Sequence, residues 1–497
     1  MVVPSRSKLP ILESSHEASS PISILDEVLG PRGHGSSSSH TGAPHRASFR
    51  AQEILGGPPQ KARVIFLNSF ATTYDGHHTD IAITAGLSGM NPEIENHDFK
   101  AALRIARAAG MEITFEAAGN DASEHDNTII MYLERGSDCL EVKVVSTGGG
   151  RYQVPVSKLN GVEYPFLDEP VPGSLEEAEG EVKKAHTILN LTSKVSANHF
   201  YSYNGLARDL GVDLARFALL YETYIQIKRG GLKTTKEVFN KAEFVLDVMM
   251  NAVEQGMRHR QQTRFTDGNW ANAMTERLWH TGAIKHAFVG AIAAQEYNAG
   301  MGFVAFAPTG GASGTLPGTL YYFKKVLRVP KKRLVNALLV AGLAGQVAFL
   351  RGDVSGAKVG CGGEIGVAAV MSAVAAAYLL GGEFKEMDIA AALAGQGFIG
   401  IDCSPAFALV EYPCIPRNGF AATNAVLGAE AAMSINGITS VTPDSQVYGL
   451  DGTLTRIFTV GSKLAPSLRE RESGDMTESF LRENCCGKGG CTGCPRA

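Results

Sequence analysis

The sequence predicts an α+β N-terminal domain followed by a mainly α-helical domain, on three observations. Between residues 62 and 155, short β-branched runs alternate apolar and polar side chains, the period of a half-buried strand. From about Val182 onward, long windows repeat apolar residues every three or four positions, the period of a helix, and their breaks carry Gly and Pro. Between the two lies residues 156–182, rich in Pro and closing on the acidic run SLEEAEGE, which reads as a linker. A chain of 497 residues with 44% hydrophobic side chains can bury two cores.

In chain order, residues 1–20 are Ser- and Pro-rich and read as a flexible N-terminus, and residues 21–155 as the α+β domain. Ile22 to Gly30 has the spacing of a short helix. A second helix, His45 to Leu55, is ended by Gly56, Gly57 and the Pro58-Pro59 pair. ARVIFLNSF (Ala62 to Phe70) is a strand, and Asp98 to Ala109 an amphipathic helix closed by Gly110. EITFEAA, NTIIMYLE and CLEVKVVST follow as strands, with Gly148-Gly149-Gly150 as a break before RYQVPV. The triplet reads as a turn, since it lacks both the Lys-Ser/Thr ending of a phosphate loop and the spacing of a dinucleotide fingerprint. Residues 183–481 form the helical domain, with windows at Leu210 to Lys228, Thr235 to Gln255, Ala283 to Ala299 and Lys331 to Leu350. Its glycine-rich loops, APTGGASGTLPG above all, suit backbone that approaches a small ligand closely.

The net charge of −4 and pI near 6.4 speak against nucleic-acid or membrane-surface binding, which calls for a basic bias. A small-molecule ligand is expected. Eight cysteines without regular pairing point to metal or redox chemistry in a reducing compartment rather than to a disulfide scaffold. The N-terminus has no long apolar stretch of the secretory kind, so the cytosol is expected. The Ala-rich run Ile365 to Leu380 falls short of the ~18 to 20 residues that cross a bilayer and reads as a buried helix.

Three cysteines stand in Gly- or Pro-rich breaks: Cys361 in VGCGGEIG, Cys403 in IDCSPAF and Cys414 in YPCIPRNG. Core cysteines sit on apolar faces, whereas thiolates that grip an inorganic cluster need turns that aim backbone N–H groups at sulfur. Spacing alone leaves both cluster ligation and buried or disulfide cysteines open.

Six ordered segments make the chain resemble the iron-sulfur L-serine dehydratases (L-serine ammonia-lyases). They are GSSSSHTGAPHRA (Gly35 to Ala47), GHHTDIAITAGLSG (Gly76 to Gly89), NAGMG (Asn298 to Gly302), APTGGASGTLPG (Ala307 to Gly318), SGAKVGCGGEIGVA (Ser355 to Ala368) and DCSPAFALVEYPCIPRN (Asp402 to Asn418). The resemblance implies a single chain with fused beta-type and alpha-type domains, the second catalytic. It also implies a 4Fe-4S cluster held by Cys361, Cys403 and Cys414, with one iron open to substrate. No PLP lysine is identifiable by motif, so PLP is not expected. The implied reaction is elimination of water from L-serine to give pyruvate and ammonia. A same-fold lyase acting on another β-substituted amino acid, or a non-catalytic amino-acid sensor, are the alternatives. A homodimer is expected.

By the same resemblance, His40 and His77 are candidate catalytic residues, and Ser38, Ser39, Thr41, Asp80, Asn298, Thr309, Arg417 and Asn418 candidate substrate contacts. Each has a plainer reading. Ser38 to Thr41 would equally make a capping turn before the following helix. Asp80 would orient His77 for proton transfer, or the two would form a structural pair. Arg417 would clamp a carboxylate, or balance cluster charge. The family usually carries Glu, Gln and Asp where Lys358, Gly362 and Ser404 stand; two lost acids and one added lysine predict a less negative site and put the substrate in question. The rim after His40 also departs, GAPHR for VGPM. The tail ENCCGKGGCTGCPRA (residues 482–497 with Arg482) carries Cys485, Cys486, Cys491 and Cys494. It reads as a plug for the open iron, a separate metal site or a redox-sensitive extension, and Cys139 as an ordinary thiol.

Overall fold

The structure is a computed structural model that describes residues 22–30, 32–166, 178–191, 198–278, 282, 284–435, 449–470 and 477. The expected N-terminal tail, residues 167–177 of the linker and the Cys-rich C-terminus lie outside the described residues.

A short strand, β1 (Arg32–His34), pairs antiparallel with β8 (Phe303–Ala305) and so ties the first half of the chain to the second. The main sheet has six strands in the order β3-β2-β4-β5-β6-β7. β2 (Lys61–Asn68) runs parallel to β3 (Glu112–Gly119) and antiparallel to β4 (Asn127–Arg135). β5 (Asp138–Gly148), β6 (Arg151–Leu159) and β7 (Val162–Glu163) continue as an antiparallel meander. The period of two places Val64, Phe66, Ile129, Met131, Leu133, Leu140, Val142 and Val144 on one buried face. The helices Ala43–Ile54, Thr79–Leu87 and Ala102–Ala108 follow or precede these strands in the same domain. Residues 156–163, expected in the linker, belong to this sheet instead. Pro155 is tolerated because the β5–β6 pairing shifts beside it, between Lys143 and Val145, where its missing N–H costs no ladder bond.

The helical half is centred on Lys331–Arg351 and on Val367–Leu379, the latter preceded by a π turn at Gly362–Gly366. Lys331–Arg351 and the continuous run Gly362–Leu379 are long and apolar enough to cross a membrane, yet 83% and 89% of their apolar windows are buried inside the fold. Small residues let them approach: a Cβ on Gly345 would lie 2.9 Å from Met371 Sδ. The window Leu210 to Lys228 divides in two. Gly211, at φ 68°, ends the helix Phe200–Leu210, and Asp213 accepts the Arg216 N–H at 2.7 Å to start Leu214–Lys228.

Ile24, Leu25, Val28 and Leu29, expected to open the α+β domain, are buried in the helical core instead. The cause is polar as well as apolar: the buried Glu222 carboxylate accepts from Ser23 Oγ and from Ile24 N, both at 2.6 Å, and so caps this first turn from the Leu214–Lys228 helix. The glycine triplet proves to be a docking turn. A Cβ on Gly149 (φ 62°) would meet the Phe349 ring at 3.0 Å, and the Arg151 guanidinium lies 4.5 Å over that same ring. The end of the sheet is thereby pressed onto the helical half beside the candidate site.

Candidate active site

Two segments of the first half bring the histidines face to face. Ser37 to Gly42 make a tight turn in which Ser37 Oγ accepts the His40 N–H at 3.1 Å. Thr41 Oγ1 accepts from Ser37 N and donates to His77 O at 2.6 Å, while Thr79 Oγ1 donates to His40 O at 2.6 Å. These reciprocal bonds clamp the rings with centroids 4.7 Å apart at 30°. Thr41 is thus a clamp, and its expected place as a substrate contact is taken by that task, since its one proton is spent on His77 O. Ser39 Oγ lies 2.9 Å from His40 Nδ1, and Ser69 Oγ 3.0 Å from His40 Nε2. Ser38 is buried, and a Cβ on Gly310 would come within 2.7 Å of its backbone nitrogen, so the serine turn and the APTGGASGTLPG loop touch through backbone.

Asp80 does not orient His77. The ring nitrogens face Thr73 O at 3.2 Å and Glu470 Oε1 at 3.1 Å. Asp80 sits in the first turn of Thr79–Leu87, where burial raises its carboxyl to about 6 against the helix N–H groups that lower it. The orienting acid is Glu470, a residue with no sequence signal beyond one acidic position in a charged run. It lies 3.7 Å from His40 Nδ1 and its main-chain carbonyl accepts from Ser69 Oγ at 3.3 Å. Burial opposes its ionisation, but the His40 and His77 it faces hold it down to about 2. His40 is pushed by burial to about 4, against the pull of Glu470. The pair is therefore a carboxylate beside a neutral imidazole at pH 7.

The three cysteines come from separate elements of the second half. Cys361 precedes the π turn, Cys403 lies in an extended loop and Cys414 opens the helix Cys414–Ile435. All three are buried and free of disulfides. Hydrogen bonding from Cys403 draws the Cys361 thiol down to about 7, against burial and helped by Arg417; Cys403 is pushed up by that partner and by burial, and Cys414 by burial and by Cys361. Gly356 is fitted against them: a Cβ there would stand 2.6 Å from Cys403 Sγ and 2.9 Å from Glu364 Oε2. Three soft donors converging in a buried, glycine-lined cradle fit a thiolate-bound metal centre. Glu364 joins them, its Oε2 3.7 Å from Cys403 Sγ, and burial, Glu470 and Cys361 all push its carboxyl up. It too was missed in the sequence, although it stands in the CGGE segment.

Polar candidates divide by what is left unspent. Asn418 uses its whole amide: Oδ1 accepts from Gly314 N and Thr315 Oγ1, and Nδ2 donates to Gly311 O and Cys414 O. It fixes the glycine-rich loop to the Cys414 helix and has no capacity for substrate. Arg417 donates to Asp402 O at 2.8 Å and Asp402 Oδ1 at 2.7 Å beside Cys361, which fits charge balance rather than a free clamp. Asn298 Nδ2 ties Ser36 O to Gly310 O, but its Oδ1 is buried without a partner among the described residues, as are Ser36 Oγ and Ser355 Oγ. Thr309 is buried with its hydroxyl towards Glu364. These buried polar atoms have hydrogen-bonding capacity left over.

A family model for the serine dehydratase alpha chain matches residues 116–474, and one for the serine dehydratase beta chain matches residues 31–153. The chain belongs to the serine dehydratase family. Both parts are thus joined in one polypeptide, an α+β unit followed by a helical one. Among its relatives, an L-serine dehydratase of Streptomyces coelicolor is 28% identical over 93% of this chain and 99% of that protein. L-serine dehydratase 2 of Escherichia coli is also 28% identical, with the same coverage. A probable L-serine dehydratase alpha chain of Bacillus subtilis is 32% identical over 49% of this chain and 80% of its own length.

Against that serine dehydratase background the three departures matter less than their sequence positions suggest. Lys358 does not add charge to the cysteines, because its Nζ is paired with Asp126 Oδ2 of the sheet domain at 2.9 Å. Ser404 is buried and hydrogen-bonded to Asp402, which supplies the acid that position 404 lacks. Gly362 sits 2.9 Å, measured from a would-be Cβ, from Phe398 O, so a longer side chain needs a different path for residue 398. Asp402 and Glu470 keep their carboxyls towards the ionised form beside the cysteines, while Glu364 is held towards its neutral form.

Proposed function

We propose that this chain is an L-serine ammonia-lyase that eliminates water from L-serine, with a 4Fe-4S cluster on Cys361, Cys403 and Cys414. The observation that carries the reading is the convergence, within one serine dehydratase chain, of three unpaired buried thiols, two stacked imidazoles and unspent buried polar atoms. When bound, the cluster supplies an electron-poor iron that polarises the departing hydroxyl. This chain's own residues do the rest. An imidazole, His40 or His77, takes the α-proton; the C–O bond breaks and the departing hydroxide leaves as water once protonated. The 2-aminoacrylate tautomerises to an imine, which water hydrolyses to pyruvate and ammonia.

Substrate polar groups would be met by Ser36 Oγ, Asn298 Oδ1, Ser355 Oγ and Thr309 Oγ1. Thiolate ligation needs a reducing compartment, so the cytosol is our proposed location. The test is anaerobic reconstitution followed by a panel of L-serine, L-threonine and L-cysteine, with ammonia and the 2-oxo acid both measured. Equal amounts of pyruvate and ammonia from L-serine are expected. Protein carrying full iron that releases ammonia from none of the three overturns the reading.

A further inference from the structure

Glu470 reaches the two imidazoles through different atoms, and partners that can only accept constrain where the protons sit. At His77, Nδ1 lies 3.2 Å from Thr73 O. A carbonyl can only accept, so Nδ1 carries a proton. Nε2 lies 3.1 Å from Glu470 Oε1, and an ionised carboxylate also only accepts, so a second proton sits on that contact. At His40 the logic runs through Ser69. Its hydroxyl lies 3.3 Å from Glu470 O, a carbonyl, and so spends its single proton there. With that proton on Glu470 O, Ser69 Oγ accepts from His40 Nε2 at 3.0 Å, which leaves the lone pair of the neutral ring on Nδ1, beside Ser39 Oγ at 2.9 Å.

We propose that Glu470 is the positioning residue of this site: its carboxylate holds a proton on His77, and its main-chain carbonyl, acting through Ser69, leaves His40 Nδ1 as the base. The proposal rests on the lyase reading above for what that base removes, namely the α-proton of the substrate. Glu470 Oε2 lies 3.7 Å from the same Nδ1, so the positive charge that appears on His40 when it takes the proton arises next to a fixed negative one. Among the described residues, the titratable groups facing Glu470 are His40, His77, Glu364, Cys403 and Cys414, with no Lys or Arg among them. The residue is also mechanically tied to the cysteines, because Leu468 O, two positions earlier, accepts the Cys403 N–H at 2.8 Å. One short C-terminal stretch therefore sets both the histidines and a thiol loop.

The test compares wild type, Glu470→Gln and Ser69→Ala as full-length, anaerobically reconstituted enzymes labelled with ¹⁵N-histidine. In the wild type at about pH 7.5, one histidine should show both ring nitrogens protonated, and Glu470→Gln should lose that signal while keeping its iron. Its kcat should fall roughly 10²-fold or more with KM changed by less than about 3-fold. Ser69→Ala should keep the doubly protonated signal and lower kcat about 10-fold as His40 loses its fixed tautomer. Should Glu470→Gln fail to fold, Glu470→Asp, which keeps the carboxylate, is expected to retain the signal with reduced kcat; its absence there overturns the proposal. Glu470→Gln with wild-type kcat, or with the doubly protonated histidine intact, also overturns it. A wild type that releases no ammonia from L-serine sinks the lyase reading alone, because the nitrogen signals still decide the role of Glu470.

Discussion

Replacing Gly356 with Ala isolates the cradle around Cys403 with a single methyl group. Gly356 does not have a positive φ, so the backbone tolerates alanine, and the whole effect is steric. The new Cβ would stand 2.6 Å from Cys403 Sγ, 2.9 Å from Glu364 Oε2 and 3.3 Å from Cys403 Cβ. Cys403 is buried, and its N–H is pinned to Leu468 O at 2.8 Å, so the sulfur moves rather than the loop. Overpacking of this kind costs about 1–3 kcal/mol. If that cost falls on the thiol that must reach the metal centre, retention of the cluster weakens by about 5- to 150-fold. The assay is iron content and visible cluster absorbance after anaerobic reconstitution and gel filtration, with apo-protein unfolding by urea as the second measurement. Gly205→Ala, a helical glycine with nothing within 4 Å of its would-be Cβ, is the control and should be neutral or stabilising by up to about 1 kcal/mol. Gly356→Ala protein with full iron content and an unshifted urea midpoint would refute the reasoning.

Three further outcomes follow from contacts already described. His45 is held down to about 3 chiefly by burial, although its bond to Met90 O raises it; its unfolded value is near 6.5, so below pH 6.5 the unfolded chain takes the proton first. The folded state therefore loses about 1.4 kcal/mol per pH unit from this group as pH falls from 6.5 towards 3, and His45→Asn should shallow the slope of urea stability against pH by that amount. Lys358→Ala, removing an ion pair whose partners are each about one-third exposed, should cost at most about 1 kcal/mol and leave L-serine turnover unchanged; a large change in KM would put Lys358 back among the substrate contacts. Thr41→Val strands Ser37 N and His77 O in a buried site, so it should destabilise by about 1–3 kcal/mol for each group left unpaired and depress turnover, as read by thermal unfolding and steady-state kinetics.

Strands, helices and the break between them were legible because burial imposes periods of two and 3.6 on any chain, and β2, β4 and β5 obey the first cleanly. What misled was context that no period encodes. Ile24 to Leu29 look like part of the domain they precede, yet a buried carboxylate 198 residues away, Glu222, claims them for the other core. Lys358 looks like a charge at the cysteines until its side chain is seen to leave for Asp126. The histidines and cysteines could be read because both residue types are rare and sat in unusual Gly-, Ser- and Pro-rich settings. Glu470 could not, since SLRERESGD offers three acidic positions of equal standing and only the fold says which one meets a ring nitrogen. Asn418 and Thr41 were expected to contact substrate, but the structure spends them on holding loops.

The same facts bear on why the two halves must be docked for chemistry to occur. His40 and His77 belong to the first half, the thiols to the second, and Glu470 to a segment that follows the last long helix. The helical core includes Cys361 and Cys403 while the core of the first half includes no site residue, so both cores could be fully formed before the histidines meet the thiols. What aligns them is a small set of contacts: β1 against β8, Gly149 and Arg151 against Phe349, and Asn298 across Ser36 and Gly310, to which the partly exposed pair of Lys358 and Asp126 adds little. Each is individually worth little compared with the burial that holds either core, and exposed ion pairs least of all. A displacement of about 1 Å at these contacts would leave global stability nearly intact, yet it would separate an imidazole from the carbon whose proton it must take, where catalytic hydrogen-bond reach ends near 3.2 Å. Docking surface and active site are thus one cooperative unit, and the Gly148–Gly150 turn, unremarkable as a sequence triplet, is part of it because only a residue without a side chain lets the sheet come that close to Phe349.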